Sequence, residues 1–466
     1  MTQSQTAAPI AAGAARARLR AEVVAMFALS WPIVLTNVAV NFMNTTNVMM
    51  LGWRSPDALA AGALGFNLYI PFLLFGIGVV GAAAPIAASV IGADPKDRQG
   101  VRRVGHQAFL LCLALAIPIW LILWNAAPIL GAIGESPALT GEAGRYMHGL
   151  QWALLPDLLY FSMRSLFAAL NRTAPILIAS LIAVAFNALA NYALIFGHFG
   201  APEWGVFGSG IASSLSQTLM LLVMVGYSLI DPQLKPYRLF VGWWRPHAQT
   251  LARIWRLGVP IGATIAAEIS VFAVSALAMG VIGAESLEAH AIVLQIAATA
   301  FMVPLGLGQA ATVRVGHAFG ARDASAVSLA GWTAFFMTMA FVAISAATMF
   351  AAPRLLISAF ISTGAPANAA TLALALSFLR VAAFFQLVDG GQAVLANMLR
   401  GVHDSRWPLA MALTGYWAIG APIGFALAFR TPLRGLGLWI GLATGLASVA
   451  LLLLARWRGK ERRGFF

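Results

Sequence analysis

Two carboxylates stand where a carboxylate is costly. Of the 16 Asp and Glu residues in this chain, Glu268 and Asp389 fall deep within long apolar runs. An acid at such a depth is by default part of an ion or substrate path. Its helical neighbours are polar as well. Thr264 lies four residues before Glu268 and Ser275 seven after, while Gln386 and Gln392 flank Asp389 at three residues on either side. Each set therefore shares a helix face. Two such stripes facing each other could hold Na+ through carboxylate and hydroxyl oxygens, or carry a proton on one carboxyl. The other use for such acids is structural, as hydrogen-bonded links between helices.

Amides take the place of acids in the first half of the chain. Asn37, Asn41 and Asn44 recur at helical spacing with Asn47 close by, and Asn187 and Asn191 form an i,i+4 pair. Such residues either bond neighbouring helices or line a cavity. Asp157 and Arg164 are seven apart, on one face, and suit a structural or gating pair. Arg380 stands nine residues before Asp389, on the opposite face, where it can snorkel to an interface. Cys112 is the single cysteine, so no disulfide framework exists. The seven His residues show no metal-ligand spacing, and the absence of a G-x-x-x-x-G-K-[ST] loop excludes ATP as the direct drive. No cluster of catalytic side chains or resident cofactor motif argues for an enzyme.

The elements that carry these residues follow from composition. Hydrophobic residues make up 60% and charged ones 10%, against about a quarter charged in a soluble chain. The apolar runs pass the length of about 18 residues needed to cross a bilayer as a helix. We read twelve spans, at about 24–51, 60–92, 105–132, 147–171, 175–197, 205–229, 257–283, 288–317, 326–352, 370–400, 407–430 and 435–456. The net charge of +13 sits mostly in alternate connections and at both ends, as in Arg16, Arg18, Arg20, Arg102, Arg103, Arg253, Arg256 and Arg456 to Arg463. That bias predicts both termini in the cytoplasm and excludes a nucleic-acid signal. The first apolar run is too long for a signal peptide and reads as a retained helix.

A shift of 228 residues aligns Pro32 with Pro260, Thr36 with Thr264, Gly52 with Gly280, Gly78 with Gly306 and Gly92 with Gly320. Matched Pro and Gly positions over so long a register predict an internal repeat. Two six-span halves in the same orientation place a substrate site between them. The expected organisation is a first lobe over 1–229, a connecting segment over 230–256 that lies partly on the membrane surface, and a second lobe over 257–466. Glu268 and Asp389 have Val40 and Phe161 as repeat counterparts, so only the second lobe carries this pair.

Four stretches give the chain a family likeness: VPIGATIAAEISVFAVSALAMGVIG, RVGHAFGARD, NYALIFGHFGAPEWGVFGSGIA and FFQLVDGGQAVLANMLRGVHD. Over about residues 25 to 450 the chain resembles the MATE (multidrug and toxic compound extrusion) transporters of the NorM type. The resemblance implies an all-α integral membrane fold of twelve helices in two pseudo-symmetric lobes with a V-shaped cavity. It implies export of organic cations in exchange for Na+ or H+, with Glu268 and Asp389 as the cation site and Asn187 and Asn191 lining the first lobe. The chain departs from relatives in carrying Asn47 where they commonly have aspartate, and Phe385 where they have tyrosine. An asparagine releases no proton, so coupling is expected in the second lobe. A monomer in a bacterial inner membrane is expected, with drugs and lipids as partners. The alternative is a flippase for a lipid-linked or polysaccharide precursor. That role would call for more intramembrane cations than Arg164 and Arg380.

Overall fold

The computed structural model describes residues 7–465, with side chains from residue 16 onward. Every regular element among them is helical. The first half runs α1 (Ala7–Arg54), α2 (Pro56–Gly81), α3 (Ala83–Ala93), α4 (Arg98–Trp124), α5 (Ala126–Ala132), α6 (Pro137–Leu150), α7 (Leu154–Ala169), α8 (Ala174–Phe196) and α9 (Gly205–Ile230). The second runs α10 (Ala248–Ile282), α11 (Ala284–Gly320), α12 (Ala324–Ala351), α13 (Pro353–Ser358), α14 (Ala369–Gly401), α15 (Arg406–Leu413), α16 (Ala421–Arg430) and α17 (Gly435–Arg462). Among the described residues, eleven helical stretches are long and apolar enough to cross a membrane, α2 with α3 and α15 with α16 each counting as one. The twelfth span, expected at 147–171, is α6 and α7 joined through a 3-10 turn at Gln151–Ala153. Neither piece alone reaches membrane length, which is why the span escapes a simple length criterion.

Local signals set many helix starts. Ser55 accepts from Ala58 N at 3.1 Å ahead of Pro56 at the first turn, and Asp97 accepts from Gly100 N at 2.7 Å. Asp323 accepts from Ala326 N at 2.9 Å to open α12, and this backbone bond holds its carboxyl below the usual range. Each satisfies N–H groups that a helix start leaves unpaired.

The chain packs as two compact units, one of residues Leu35–Ala266 and the other of Ala267–Phe466 with the chain up to Val34. Their boundaries fall inside α1 and α10. The same 228-residue register explains this at the level of single contacts. In the first unit, a Cβ added at Gly78 of α2 would meet Gly262 Cα of α10 at 2.5 Å. The repeat-related pair in the second unit is Gly306 of α11 with Val34 of α1, where an added Cβ would meet Val34 Cγ2 at 2.4 Å. Only glycine permits so close an approach of two helices, so each unit takes in half of the first helix of the other repeat. Gly262→Leu has no space: a Cβ there would lie 2.6 Å from Phe75 O. We expect this variant to lose about 3 kcal/mol of stability, read as a large fall in the melting temperature of purified protein.

The segment expected at 230–256 is shorter, because α10 begins at Ala248. His247 sets that start by accepting from Thr250 N at 3.3 Å. The connection is also fastened to α4. Gln107 Nε2 donates to Arg245 O at 3.1 Å, and Gln107 Oε1 accepts from His247 N at 2.9 Å. Phe240 stacks on Phe109 at 6.1 Å, with Leu234 and Leu239 buried beneath and Val241 and Trp244 exposed.

In the second unit α11 and α14 form the interior. Thr312 Oγ1 donates to Asn397 O at 2.9 Å between them. Arg314 pairs with Glu22 of α1 through its Nε at 2.9 Å. The far end of α17 is tied back by Arg456 Nε to Asp404 Oδ2 at 2.7 Å and Lys460 Nζ to the same oxygen at 3.3 Å.

Candidate functional site

The second unit brings Glu268 and Asp389 together. Glu268 comes from α10 and is half-buried, while Asp389, from the middle of α14, is only 6% exposed. The two carboxyls interact electrostatically. Two further residues, not anticipated in the sequence, complete the surroundings. Arg400 interacts with Glu268 and with Tyr416. Tyr416 faces Glu268 and Asp389 and lies against Gln392.

Helix geometry explains both additions. Arg400 is eleven residues beyond Asp389 on α14, which is three turns and therefore the same face. The spacing is visible in the sequence, but Arg400 is the last residue of the 370–400 span and carries no signal that separates it from the basic residues of the connections. Tyr416 belongs to a seven-residue π-helical stretch, Thr414–Gly420, between α15 and α16. Such wide turns inside helices occur frequently at functional sites, because they shift one side chain out of the regular 3.6-residue register. No regular periodicity would have placed Tyr416 on this face.

The site is rich in oxygen atoms that lack protein partners. Asp389 Oδ1, Gln386 Oε1 and Gln392 Oε1 are all buried without a hydrogen bond to the described residues. Each buried unbonded group costs about 1–3 kcal/mol, so a concentration of them calls for a functional explanation. Two carboxylates, two amide oxygens and a phenol suit a monovalent hard cation or a proton held on a carboxyl. No group of three or more His, Cys, Asp and Glu converges among the described residues. Na+ would be held by these oxygens, with Arg400 competing for Glu268.

The other second-unit candidates sit around this centre. Gln386 and Gln392 are buried beside Asp389. Phe385 packs edge-on to Phe272 at 6.1 Å and to Trp439 at 5.5 Å, and Trp439 lies at a tilt against the buried His290 at 5.4 Å. Phe385 thus shapes the wall of the site and offers it no donor. Arg380 is exposed.

The stripe expected around Glu268 does not stay together. Thr264 belongs to the first unit and donates to Pro260 O at 2.8 Å, whereas Ser275 belongs to the second and donates to Val271 O at 2.8 Å. Both hydroxyls satisfy themselves on the preceding turn of their own helix.

The first-unit amides form a network without acids. Asn47 Nδ2 donates to Ser213 Oγ at 3.1 Å, and Asn191 Nδ2 donates to Asn47 Oδ1 at 2.9 Å. Asn187 is fully buried, and neither atom of its amide has a described partner. Asn37 Oδ1 accepts from Arg164 Nη2 at 2.8 Å, while Asn41 and Asn44 are half-buried on the same helix. Asp157 accepts from the Tyr69 hydroxyl at 3.4 Å, so Asp157 and Arg164 have separate partners, with Tyr160 interacting with both.

Comparison with known proteins adds an independent line. A family model described as MatE matches residues 32–193 and 260–426. The chain is 48% identical over 95% of its length, and 95% of the relative's, to a "Probable multidrug resistance protein NorM" of Mesorhizobium japonicum. It is 41% identical to a protein of the same description from Brucella suis, over 94% and 93% of the two chains. Among solved structures it matches the eukaryotic MATE transporter AtDTX14 with a TM-score of 0.82 and 21% identity, over 96% and 98% of the chains. A MATE protein in a bent conformation matches with a TM-score of 0.85 at 18% identity, covering 96% and 97%.

Proposed function

The chain belongs to the MATE family of multi-pass membrane transporters, and from that premise we propose that it exports organic cations and other drugs in exchange for Na+ or H+. The observation that carries this reading is the second-unit centre, in which Glu268 and Asp389 face Arg400 and Tyr416 among unbonded oxygens. The names of its NorM relatives support the drug as cargo.

The mechanism we propose is alternating access with the second lobe as the driver. A cation from outside binds Glu268 and Asp389 and displaces the hold of Arg400 on Glu268. That state favours release of the bound drug to the outside. Departure of the cation to the cytoplasm returns Glu268 to Arg400, and a new drug loads from the cytosol or inner leaflet. Coupling needs only that drug and cation prefer different states. The six-and-six lobe arrangement of 1–229 and 257–466 belongs to this reading. So do the monomer, the inner-membrane location with both termini cytoplasmic, and the first-lobe amides as drug contacts.

Proteoliposomes loaded with ethidium and given separate sodium and proton gradients test it. One of the two gradients is expected to drive uphill transport several-fold above the rate without a gradient. Transport indifferent to both gradients would sink the exchange mechanism.

A further inference from the structure

The first unit holds an acid that coupling through Glu268 and Asp389 does not use. Asp157 lies in the first turn of α7, within the fourth span, and is 8% exposed. Its bond from the Tyr69 hydroxyl is 3.4 Å, longer than the roughly 2.7 Å of a strong O–H···O bond. The titratable groups around it come from three helices. Tyr69 stands on α2, Tyr146 on α6 interacts with Tyr69, and Tyr160 and Arg164 follow on α7 itself. Tyr160 interacts with both Asp157 and Arg164. Arg164 in turn donates to Asn37 Oδ1 at 2.8 Å and lies over the Phe161 ring at 5.0 Å. A polar path therefore runs from Tyr146 through Tyr69, Asp157, Tyr160 and Arg164 to Asn37 on α1. Along it, the Tyr160 hydroxyl, Thr36 Oγ1 and Asn37 Nδ2 are buried without a described hydrogen-bond partner.

A carboxyl at this depth persists in two forms, as a neutral acid or as a carboxylate matched by a donor or cation. The Tyr69 phenol serves both, donating to the carboxylate or accepting from the acid. Tyr160 stands between the carboxyl and Arg164, so a change in the charge of Asp157 is felt at the guanidinium that holds Asn37.

We propose that Asp157 is a second proton-binding site, located in the first unit and transmitted through Tyr160 and Arg164 to the amide face of α1. Its role in export rests on the coupled-exporter reading above, but its proton binding does not. The site takes up one proton from water to form the neutral acid and releases it to restore the carboxylate.

Infrared difference spectroscopy of purified full-length protein tests this directly, with Glu268→Gln and Asp389→Asn both present so that those carboxyls no longer contribute. The titration is run above about pH 6, where exposed carboxylates are already ionised. The C=O stretch of a protonated carboxyl is expected to disappear as pH rises and to be missing when Asp157→Asn is added. Tyr69→Phe keeps the carboxyl and should move the midpoint of that titration. A spectrum without the band, or a band that does not titrate, overturns the proposal. If Asp157→Asn does not fold, Tyr69→Phe decides alone, a moved midpoint supporting the site and an unmoved one overturning it. Failure of the ion-gradient experiment would leave these outcomes unaffected, so the two readings fail separately.

Discussion

Asp389→Asn is expected to yield a folded protein that no longer exports ethidium against a gradient. The substitution keeps the size of the side chain and its place on α14, at 6% exposure. What it removes is the negative charge proposed to hold Na+ or exchange a proton. An interaction of a buried charged group is worth about 3 kcal/mol, which corresponds to roughly a hundredfold weaker ion binding. Export that depends on ion binding falls by a similar factor. Glu268→Gln should be the milder change, since Glu268 is half-buried and water replaces part of what is lost. The check is initial ethidium export from cells, normalised to the amount of folded protein in the membrane. Ethidium export by Asp389→Asn at the normal rate would remove the carboxylate pair from the mechanism.

How much of this centre was legible beforehand depended on the kind of signal. The acids announced themselves by being charged within apolar runs, and the repeat by Pro32/Pro260 and Gly78/Gly306. The latter register proved to be physical, since Gly78 and Gly306 are both points of close helix approach in their respective units. Tyr416 was silent, because a π-helical turn displaces it from any periodicity that a sequence displays. The expected stripe of Thr264, Glu268 and Ser275 is divided for a different reason. Spacing along a helix says which residues share a face, but the boundary of the two compact units falls within α10, so Thr264 and Ser275 belong to different units. The fourth span was found as an apolar run, yet its break at Gln151–Ala153 carries neither proline nor glycine to mark it. Asp157 and Arg164 share a face as their spacing requires, but they hydrogen-bond to Tyr69 and Asn37, on helices that no local pattern places beside them.

The second large effect is expected at Arg400. Its guanidinium interacts with Glu268 and Tyr416 and donates from Nη1 to Asn397 Oδ1 at 3.3 Å. Arg400→Met keeps much of the apolar stem and removes the charge. Glu268 then faces Asp389 with no cation to oppose their repulsion. Removing one partner of a buried pair costs about 3–5 kcal/mol. Both Arg400 and Glu268 are half-buried here, and screening by water reduces the expected loss to about 2 kcal/mol. The melting temperature of the purified protein should fall accordingly. Two additions separate this electrostatic cause from simple loss of packing. Glu268→Gln placed on Arg400→Met removes the unopposed charge and should restore most of the melting temperature, giving a coupling energy between the sites. Saturating sodium or low pH should also stabilise Arg400→Met more than the unaltered protein, because either cation or proton relieves the same repulsion. If the double variant melts no higher than Arg400→Met alone, the guanidinium acts through packing, and its place as the internal competitor for the coupling cation is lost.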